Sequence, residues 1–487
     1  MANIREIVLN ILIEYDKDGS KKAGLLKDVL EKYDYLETRD KAFIKRVTEG
    51  CLERNIQIDY ILDSFSKVET KKMQPFIRSL MRMGVYQIMF MDSIPDSAAC
   101  NEAVKLAQRH KFTGLKGFVN GVLRNVSRNK DKIEYPDKSV NGGADYLSVL
   151  YSVPKWLCTM WLHDYGFERT EGMLEFFLEP RPTVIRCAEM DQGDGVSGPQ
   201  MDLGDGGSGS SVDAGNGTCG PKDISDLKRK LEEAGVVVKE NPILSYALEL
   251  EKTDNIRYLP GFAEGKFAVQ DVSSMLVTEI AAPLKGQTVI DVCAAPGGKS
   301  MHAAQAVGAD GKVFSRDVSA AKKELIAENA DRLGINNITI ETFDAKIHDE
   351  NMRENGDVIY LDVPCSGLGI IGRKSDIKQN ITKEKLSDLT KLQWDIVKSC
   401  WDYVKVGGTL MYSTCTVNKA ENEQMIAKII EELPFEAVDI TENLPKYILD
   451  NDKYNIKDTA KKGFIQLLPG EFGTDGFFIA KLKRISK

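Results

Sequence analysis

Val289–Ser300 reads VIDVCAAPGGKS, and this stretch decides the fold. An apolar strand ends at Asp291, and a helix is predicted to start near Lys299. Between them, Gly297 and Gly298 lack a β-carbon, so the backbone there can lie against a ligand. Working outward, strands and helices alternate from Lys266 onward. TVIDV, KVFSRD, ITIETFD, DVIYLD and TLMYST read as strands; SSMLVTEIAAPL, SMHAAQAV, AAKKELIAENADRLG and LQWDIVKSCWDYV read as helices. That order predicts a doubly wound α/β sheet. EAVDI and GFFIAKLK could add two strands at the end.

Acids close the strands after the glycine turn. KVFSRD ends at Asp317, where such folds hold the ribose hydroxyls of a nucleoside. ITIETFD ends at Asp344, which is expected near an adenine edge. Neither G-x-G-x-x-G nor G-x-x-x-x-G-K-[ST] is present. Carboxylates would repel a pyrophosphate, whereas S-adenosyl-L-methionine brings a sulfonium cation, a ribose and an adenine. The competing reading is a purely structural glycine turn.

Two cysteines follow the next strands. Cys365 lies in YLDVPCSGLG after Asp362, and Cys415 lies in LMYSTCTV. Ligands bind beyond the carboxyl ends of parallel strands, and neighbouring strands lie about 4.8 Å apart. Asp362, Cys365 and Cys415 are therefore expected in one pocket. A thiolate adding to carbon-6 of a pyrimidine makes carbon-5 able to attack a methyl donor. A carboxyl group at the ring N3 would favour that addition, and a second cysteine can assist expulsion of the first. A free thiol titrates near about 8.5, so the nucleophile needs a charge source; Lys299 or Lys378 is the candidate. Cys51, Cys100, Cys158, Cys187, Cys400 and the side chain of Cys293 read as buried small apolar groups, and Cys219 as exposed.

Upstream the pattern changes. Residues 1–130 show helical periodicity and little strand signal, which predicts an all-α bundle. Residues 131–147 read as a linker. Residues 148–262 form a small α+β segment: a helix after Ser152–Trp156, strands in RPTVIRCAE, VVVKE and YALELE, and the helix DLKRKLEEAG ended by Gly235. A Gly/Ser/Asp-rich stretch at 190–221 has no Lys or Arg, so it cannot bury enough apolar surface to order itself and is expected to be a disordered insertion. A calcium loop through Asp202, Asp205 and Asp213 lacks a repeating ligand pattern. The catalytic domain is expected over 263–487.

The chain of 487 residues is too long for one core, and its net charge is −8. The charge is uneven. Residues 1–135 hold 24 Lys/Arg and 19 Asp/Glu, which leaves +5 there and −13 in the remainder. Lys105 to Lys132 contains eight basic residues and one acid, Asp131, enough to hold phosphates locally. Nine cysteines without a C-x-x-C pair, and four histidines, give no zinc pattern and fit a reducing cytosol. No apolar run reaches membrane-spanning length, and the N-terminus reads as an amphipathic helix.

DVCAAPGGKS, DVPCSGLG, RKSDIK, YSTCTV, GKFAVQDVSSML and DGFFIAKL resemble the signature motifs of the Nol/Nop/Sun family of RNA 5-methylcytosine methyltransferases, over residues 265–482. IPDSAACNEAVKLA and GFVNGVLRNV resemble a NusB-type RNA-binding domain. That pairing is similar to bacterial 16S rRNA (cytosine-5) methyltransferases, and only 190–221 falls outside the resemblance. It implies a multidomain protein with a NusB-like helical bundle, a small α+β RNA-binding middle domain and a Rossmann-like class I methyltransferase domain. It implies a cofactor cradle of Cys293, Ala294, Ala295, Pro296, Gly297, Gly298 and Lys299, with Asp317, Asp344 and Asp362 as further contacts. It implies Cys415 as nucleophile and Cys365 as the product-release cysteine; Asp362 would divide between cofactor and base N3. Ser375, where the family commonly has proline, and Cys187, where asparagine is usual, depart from the pattern. The expected activity is S-adenosylmethionine-dependent methylation of a cytosine in 16S rRNA, free or in the small subunit or its precursor, by a cytosolic monomer without metal or membrane. The same chemistry on tRNA or another rRNA position, a non-catalytic RNA-binding factor and an NAD-dependent enzyme are the alternatives.

Overall fold

The computed structural model describes residues 3–17, 24–188, 221–251, 253 and 255–487. Of the insertion expected at 190–221, all but Pro221 lies outside the described residues, as do Cys219 and the three aspartates of the calcium alternative. The chain forms two compact units: Met1–Glu179 with Ile370–Thr382, and Pro180–Gly369 with Lys383–Lys487.

The first unit is helical, as its apolar spacing predicts. Its main helices are α1 Ile4–Lys17, α2 Leu25–Lys32, α3 Thr38–Glu53, α4 Asn55–Phe65, α5 Pro75–Phe90, α6 Asp96–Arg109, α7 Lys116–Asn129, α8 Ala144–Tyr151 and α9 Lys155–Phe176. Their apolar faces meet in one core that includes Val8, Ile44, Ile58, Leu62, Leu80 and Leu123, all fully buried. The returning segment adds one short helix, Ile377–Asn380, whose Lys378 donates to the Glu53 carbonyl at 2.6 Å. Burial pushes the Lys378 ammonium down to about 8. The basic stretch is all surface: Lys105, Arg109, Lys111, Lys116, Arg124, Arg128, Lys130 and Lys132 are exposed.

The second unit holds two sheets. The smaller is antiparallel, in the order β2 (Val237–Glu240), β3 (Ala247–Glu251), β1 (Thr183–Cys187), β4 (Phe267–Val269). Helix α10 (Pro221–Glu233) belongs with it through Leu227 and Leu231, which join Ile185, Leu248 and Phe267 in one core. β4 lies within GKFAVQ and pairs with β1; three residues were too few for the periodicity to reveal it.

The larger sheet has eight strands. Its order is β10 (Phe435–Ala437), β12 (Phe477–Arg484), β9 (Val404–Thr414), β8 (Gly356–Asp362), β5 (Thr288–Asp291), β6 (Lys312–Asp317), β7 (Ile338–Thr342), with β11 (Phe464–Leu467) on β12. β9, β8, β5, β6 and β7 run parallel, while β12 pairs antiparallel with β9. Helices α11 (Val272–Ala281), α12 (Gly298–Val307), α13 (Ala320–Arg332), α15 (Lys383–Cys400) and α16 (Glu423–Glu432) accompany the strands; α14 is the short Ile377–Asn380 helix of the first unit. The central parallel strands β5 and β8 are buried on both faces and read as apolar runs such as Val358–Leu361, while the edge strand β7 is only half-buried. β6 follows β5 on one side and β8 lies on the other, so the strand order reverses at β5, where crevices form in such sheets.

Candidate functional site

The glycine turn sits at that reversal. Val292 N–H donates to the Tyr360 carbonyl at 3.3 Å and Ala294 N–H to the Arg316 carbonyl at 2.9 Å, so the loop extends the ladder toward both β8 and β6. Gly297 has φ +100°, and a β-carbon there would press on Met301 at 3.0 Å and Ile326 at 3.3 Å. At Gly298 a β-carbon would meet Gln270 at 3.5 Å. Ala294 is buried, Cys293 and Ala295 are half-buried, and Pro296 is exposed behind a cis Ala295–Pro296 bond. Helix α12 opens at Gly298 and directs Lys299 toward β8.

Four acids end strands or follow them here. Asp291 is fully buried and accepts from Ser300 Oγ at 2.7 Å; burial pushes its carboxyl up to about 7. Asp317 Oδ2 accepts from Ala295 N–H at 2.9 Å, and its Oδ1 accepts from Val318 N–H at 2.7 Å and from Lys322, a half-exposed side chain. Three donors leave room in a carboxylate's roughly four lone-pair sites, and the solvated lysine can give way. Asp344, two residues beyond β7, accepts from Lys346 N–H at 3.0 Å. Asp362 accepts from Lys299 Nζ at 2.7 Å and from Ser413 Oγ at 2.7 Å. Lys322 and Lys346, which face Asp317 and Asp344, are half-exposed, so among the mostly buried groups here the four acids meet only Lys299, which suits a cationic or neutral nucleoside better than a phosphate ester. Among the described residues no His/Cys/Asp/Glu group could hold a metal ion.

β8 and β9 are neighbours, with Asp362 beside Ser413 in register. The loops that follow bring Cys365 Sγ to 3.2 Å from Cys415 Sγ. Both residues are half-buried. The Cys365 thiol is pushed well above the ordinary thiol range, first by its hydrogen bond to Cys415, then by burial, with Glu421 adding to it. Its neighbours and its burial therefore disfavour a thiolate at Cys365. The backbone fixes this arrangement: Gly369 N–H donates to the Cys415 carbonyl at 3.0 Å, and Gly476 N–H to the Gly369 carbonyl at 2.9 Å. A β-carbon on Gly369 would fall on the Gly476 carbonyl, so only glycine allows that approach.

Neither lysine proposed as a charge source contacts a sulfur. Lys299 is committed to Asp362, and Lys378 is engaged within the first unit. Cys51, Cys100, Cys158, Cys187 and Cys400 are buried, while Cys293 is half-buried. Sequence reading passed over Ser366, Gln393, Thr416, Glu421 and Asn422, which bond around the two cysteine loops. The polar cluster NKAENE directly after TCTV was the available signal.

Comparison with known proteins adds the relationship. Residues 278–483 match the family model described as 16S rRNA methyltransferase RsmB/F, and residues 2–128 match the NusB family. The chain is 33% identical over 490 residues to the probable ribosomal RNA small subunit methyltransferase B of Bacillus subtilis (strain 168), covering 99% of each. It is 29% identical to the probable ribosomal RNA small subunit methyltransferase B of Synechocystis sp., covering 99% of this chain and 100% of that protein. The crystal structure of PH0851 shares the fold with a TM-score of 0.72 at 21% identity, covering 99% of both chains. NSun6 from Pyrococcus horikoshii, solved with SFG, has a TM-score of 0.52 at 18% identity, covering 69% of this chain and all of that one.

Proposed function

We propose, on the premise that this chain belongs to the 16S rRNA methyltransferase RsmB/F family, that it transfers a methyl group from S-adenosyl-L-methionine to carbon-5 of one cytosine in 16S rRNA. The observation that carries this reading is the 3.2 Å approach of the Cys365 and Cys415 sulfurs beside Asp362 and the glycine turn. Relatives named as ribosomal RNA small subunit methyltransferase B support the substrate, and NSun6 solved with SFG supports a ligand in this fold.

Residues Cys293–Lys299 would hold the cofactor, Asp317 its ribose hydroxyls and Asp344 its adenine edge. When bound, the cofactor supplies an electrophilic methyl on a sulfonium. Cys415 adds as thiolate to carbon-6 of the cytosine, and the ring becomes nucleophilic at carbon-5. In its protonated form Asp362 donates to N3 of the base and passes it the proton as negative charge builds there during that addition, and Lys299 and Ser413 hold the side chain in place. After methylation a water molecule takes the carbon-5 proton, the carbon-5–carbon-6 double bond re-forms, and the Cys415–carbon-6 bond breaks with its electron pair going to the sulfur. Cys365, 3.2 Å from Cys415, assists that release by hydrogen-bonding the departing thiolate. The base must be unpaired or turned out of its stack to reach the sulfur. Lys111, Lys116, Arg124, Arg128 and Lys132, exposed on the helical unit, would grip RNA phosphates. We place this work in the cytosol; no helix of the described residues is long and apolar enough to cross a membrane.

Bisulfite sequencing of 16S rRNA from a strain lacking the protein tests the reading. One cytosine is expected to lose protection and to regain it when the gene is restored. An unchanged 16S pattern would overturn the assignment.

A further inference from the structure

Glu421 is fully buried, directly before Asn422, in the loop between β9 and α16. Among the described residues no lysine or arginine is bonded to it. Its Oε2 accepts from Ser366 N–H at 2.9 Å and from Gln393 Nε2 at 2.9 Å. Its Oε1 accepts from Ser366 Oγ at 2.6 Å and from Asn418 Nδ2 at 3.0 Å, with Thr416 Oγ1 at 3.5 Å. Its own carbonyl accepts from the buried Tyr412 hydroxyl at 2.7 Å. Every partner is a donor, which suits an acceptor-only carboxylate.

Those partners have a pattern. Ser366 follows Cys365, and Thr416 follows Cys415. Ser366 Oγ and Thr416 Oγ1 also share a hydrogen bond of 2.7 Å. Asn422 secures the other cysteine on both sides: Thr414 Oγ1 donates to Asn422 Oδ1 at 2.6 Å, and Asn422 Nδ2 donates to the Thr416 carbonyl at 3.0 Å. One buried carboxylate thus joins the loop after β8 to the loop after β9 immediately beside the two sulfurs. A buried charge is costly to desolvate, and a well-packed apolar residue would do for stability alone.

We propose that Glu421 is a positioning residue for the methyl transfer, bracing the Cys365 loop against the Cys415 loop and so setting the spacing of their sulfurs. Its charge has a second effect, because it disfavours a thiolate at Cys365. The titratable groups facing Cys365 are Cys415 and Glu421, with the Tyr412 phenol behind them. Glu421 thereby acts in the sense of the roles proposed above, making a thiolate less favourable at Cys365, the cysteine assigned to release. This rests on the division of roles given under Proposed function.

The test compares full-length Glu421→Gln, Glu421→Ala and Cys415→Ala with the unaltered protein. Rates of 16S rRNA methylation and KM for S-adenosylmethionine are measured, with thermal melts. The pH dependence of Cys365 alkylation by iodoacetamide is followed by peptide mass spectrometry. Glutamine keeps the shape and removes the charge; Ser366 Oγ can accept from its amide, and Asn418 can turn its oxygen to face it. Glu421→Ala is expected to lose about 100-fold in kcat, the scale of a misplaced reacting group, with KM for the cofactor little changed. Glu421→Gln is expected to recover part of that rate and to alkylate Cys365 from a lower pH than the unaltered protein. A merely structural role would lower the melting temperature and leave that alkylation profile where it is. If the alanine variant does not fold, the glutamine variant decides through its alkylation profile. Wild-type kcat in both variants, or an unmoved profile in Glu421→Gln, would overturn the inference. Full methylation by Cys415→Ala would instead overturn the underlying assignment, and the alkylation result would still stand or fall separately.

Discussion

Lys299 Nζ lies 2.7 Å from Asp362 Oδ2, so the first turn of α12 is tied to the carboxyl end of β8. The lysine is mostly buried and also lies 5.2 Å from the Phe477 ring centre. The ion pair joins the glycine turn to the strand end that precedes Cys365. Asp362→Asn keeps the shape, removes the charge and leaves Lys299 without its partner. Methyl transfer measured in a single turnover is expected to fall by at least about 100-fold, the scale of a lost proton-handling group. An unchanged rate would remove Asp362 from the chemistry.

Asp317 is expected to act on affinity more than on rate. Its carboxylate is held by Ala295 and Val318 N–H groups at the end of β6. Asp317→Ala should weaken S-adenosylmethionine binding by about 10- to 100-fold in calorimetry, the cost of one or two charge-assisted hydrogen bonds. KM should rise while kcat changes little, because the contact is the same in ground and transition states. Asp344 has fewer fixed partners and is more exposed, so Asp344→Ala should cost less.

Asp291 links the turn to pH. Burial raises its carboxyl from an ordinary 3.8 to about 7 in the folded protein. Between those values the folded state holds a proton that the unfolded chain has released. Its contribution is therefore fully present below 3.8 and is lost as pH rises through about 7. Asp291→Asn removes this titration while leaving a side-chain oxygen for Ser300. Denaturant melts are expected to show the variant gaining stability relative to the unaltered protein between pH 4 and pH 7, with a constant difference above pH 8. A difference that does not vary with pH would contradict the buried acid.

Much of this arrangement was legible because period and punctuation are local. The apolar runs TVIDV and DVIYLD, the paired glycines and the acids at strand ends describe a parallel sheet with a crevice before any coordinate is known. The two cysteine loops were found for the same reason: each directly follows a strand. What sequence could not reveal depends on long-range contact. Lys299 and Lys378 looked alike as charge sources, and only the fold commits one to Asp362 and the other to the Glu53 carbonyl. β4 is only three residues long, below what alternation can mark, and its partner β1 lies about 80 residues earlier in the chain. Glu421 lies six residues after Cys415, yet its main partner is Ser366, 55 residues away.

Sulfur 415 as the attacking atom is tested most directly by the covalent species it would leave. Cys365→Ala, Cys415→Ala and the double variant are each incubated with 16S rRNA and S-adenosylmethionine and run on a denaturing gel. A slow-migrating protein–RNA band is expected with Cys365→Ala, because methylation proceeds and release fails. None is expected with Cys415→Ala or the double variant. A band that persists without Cys415 and disappears without Cys365 would reverse the two roles and contradict the mechanism.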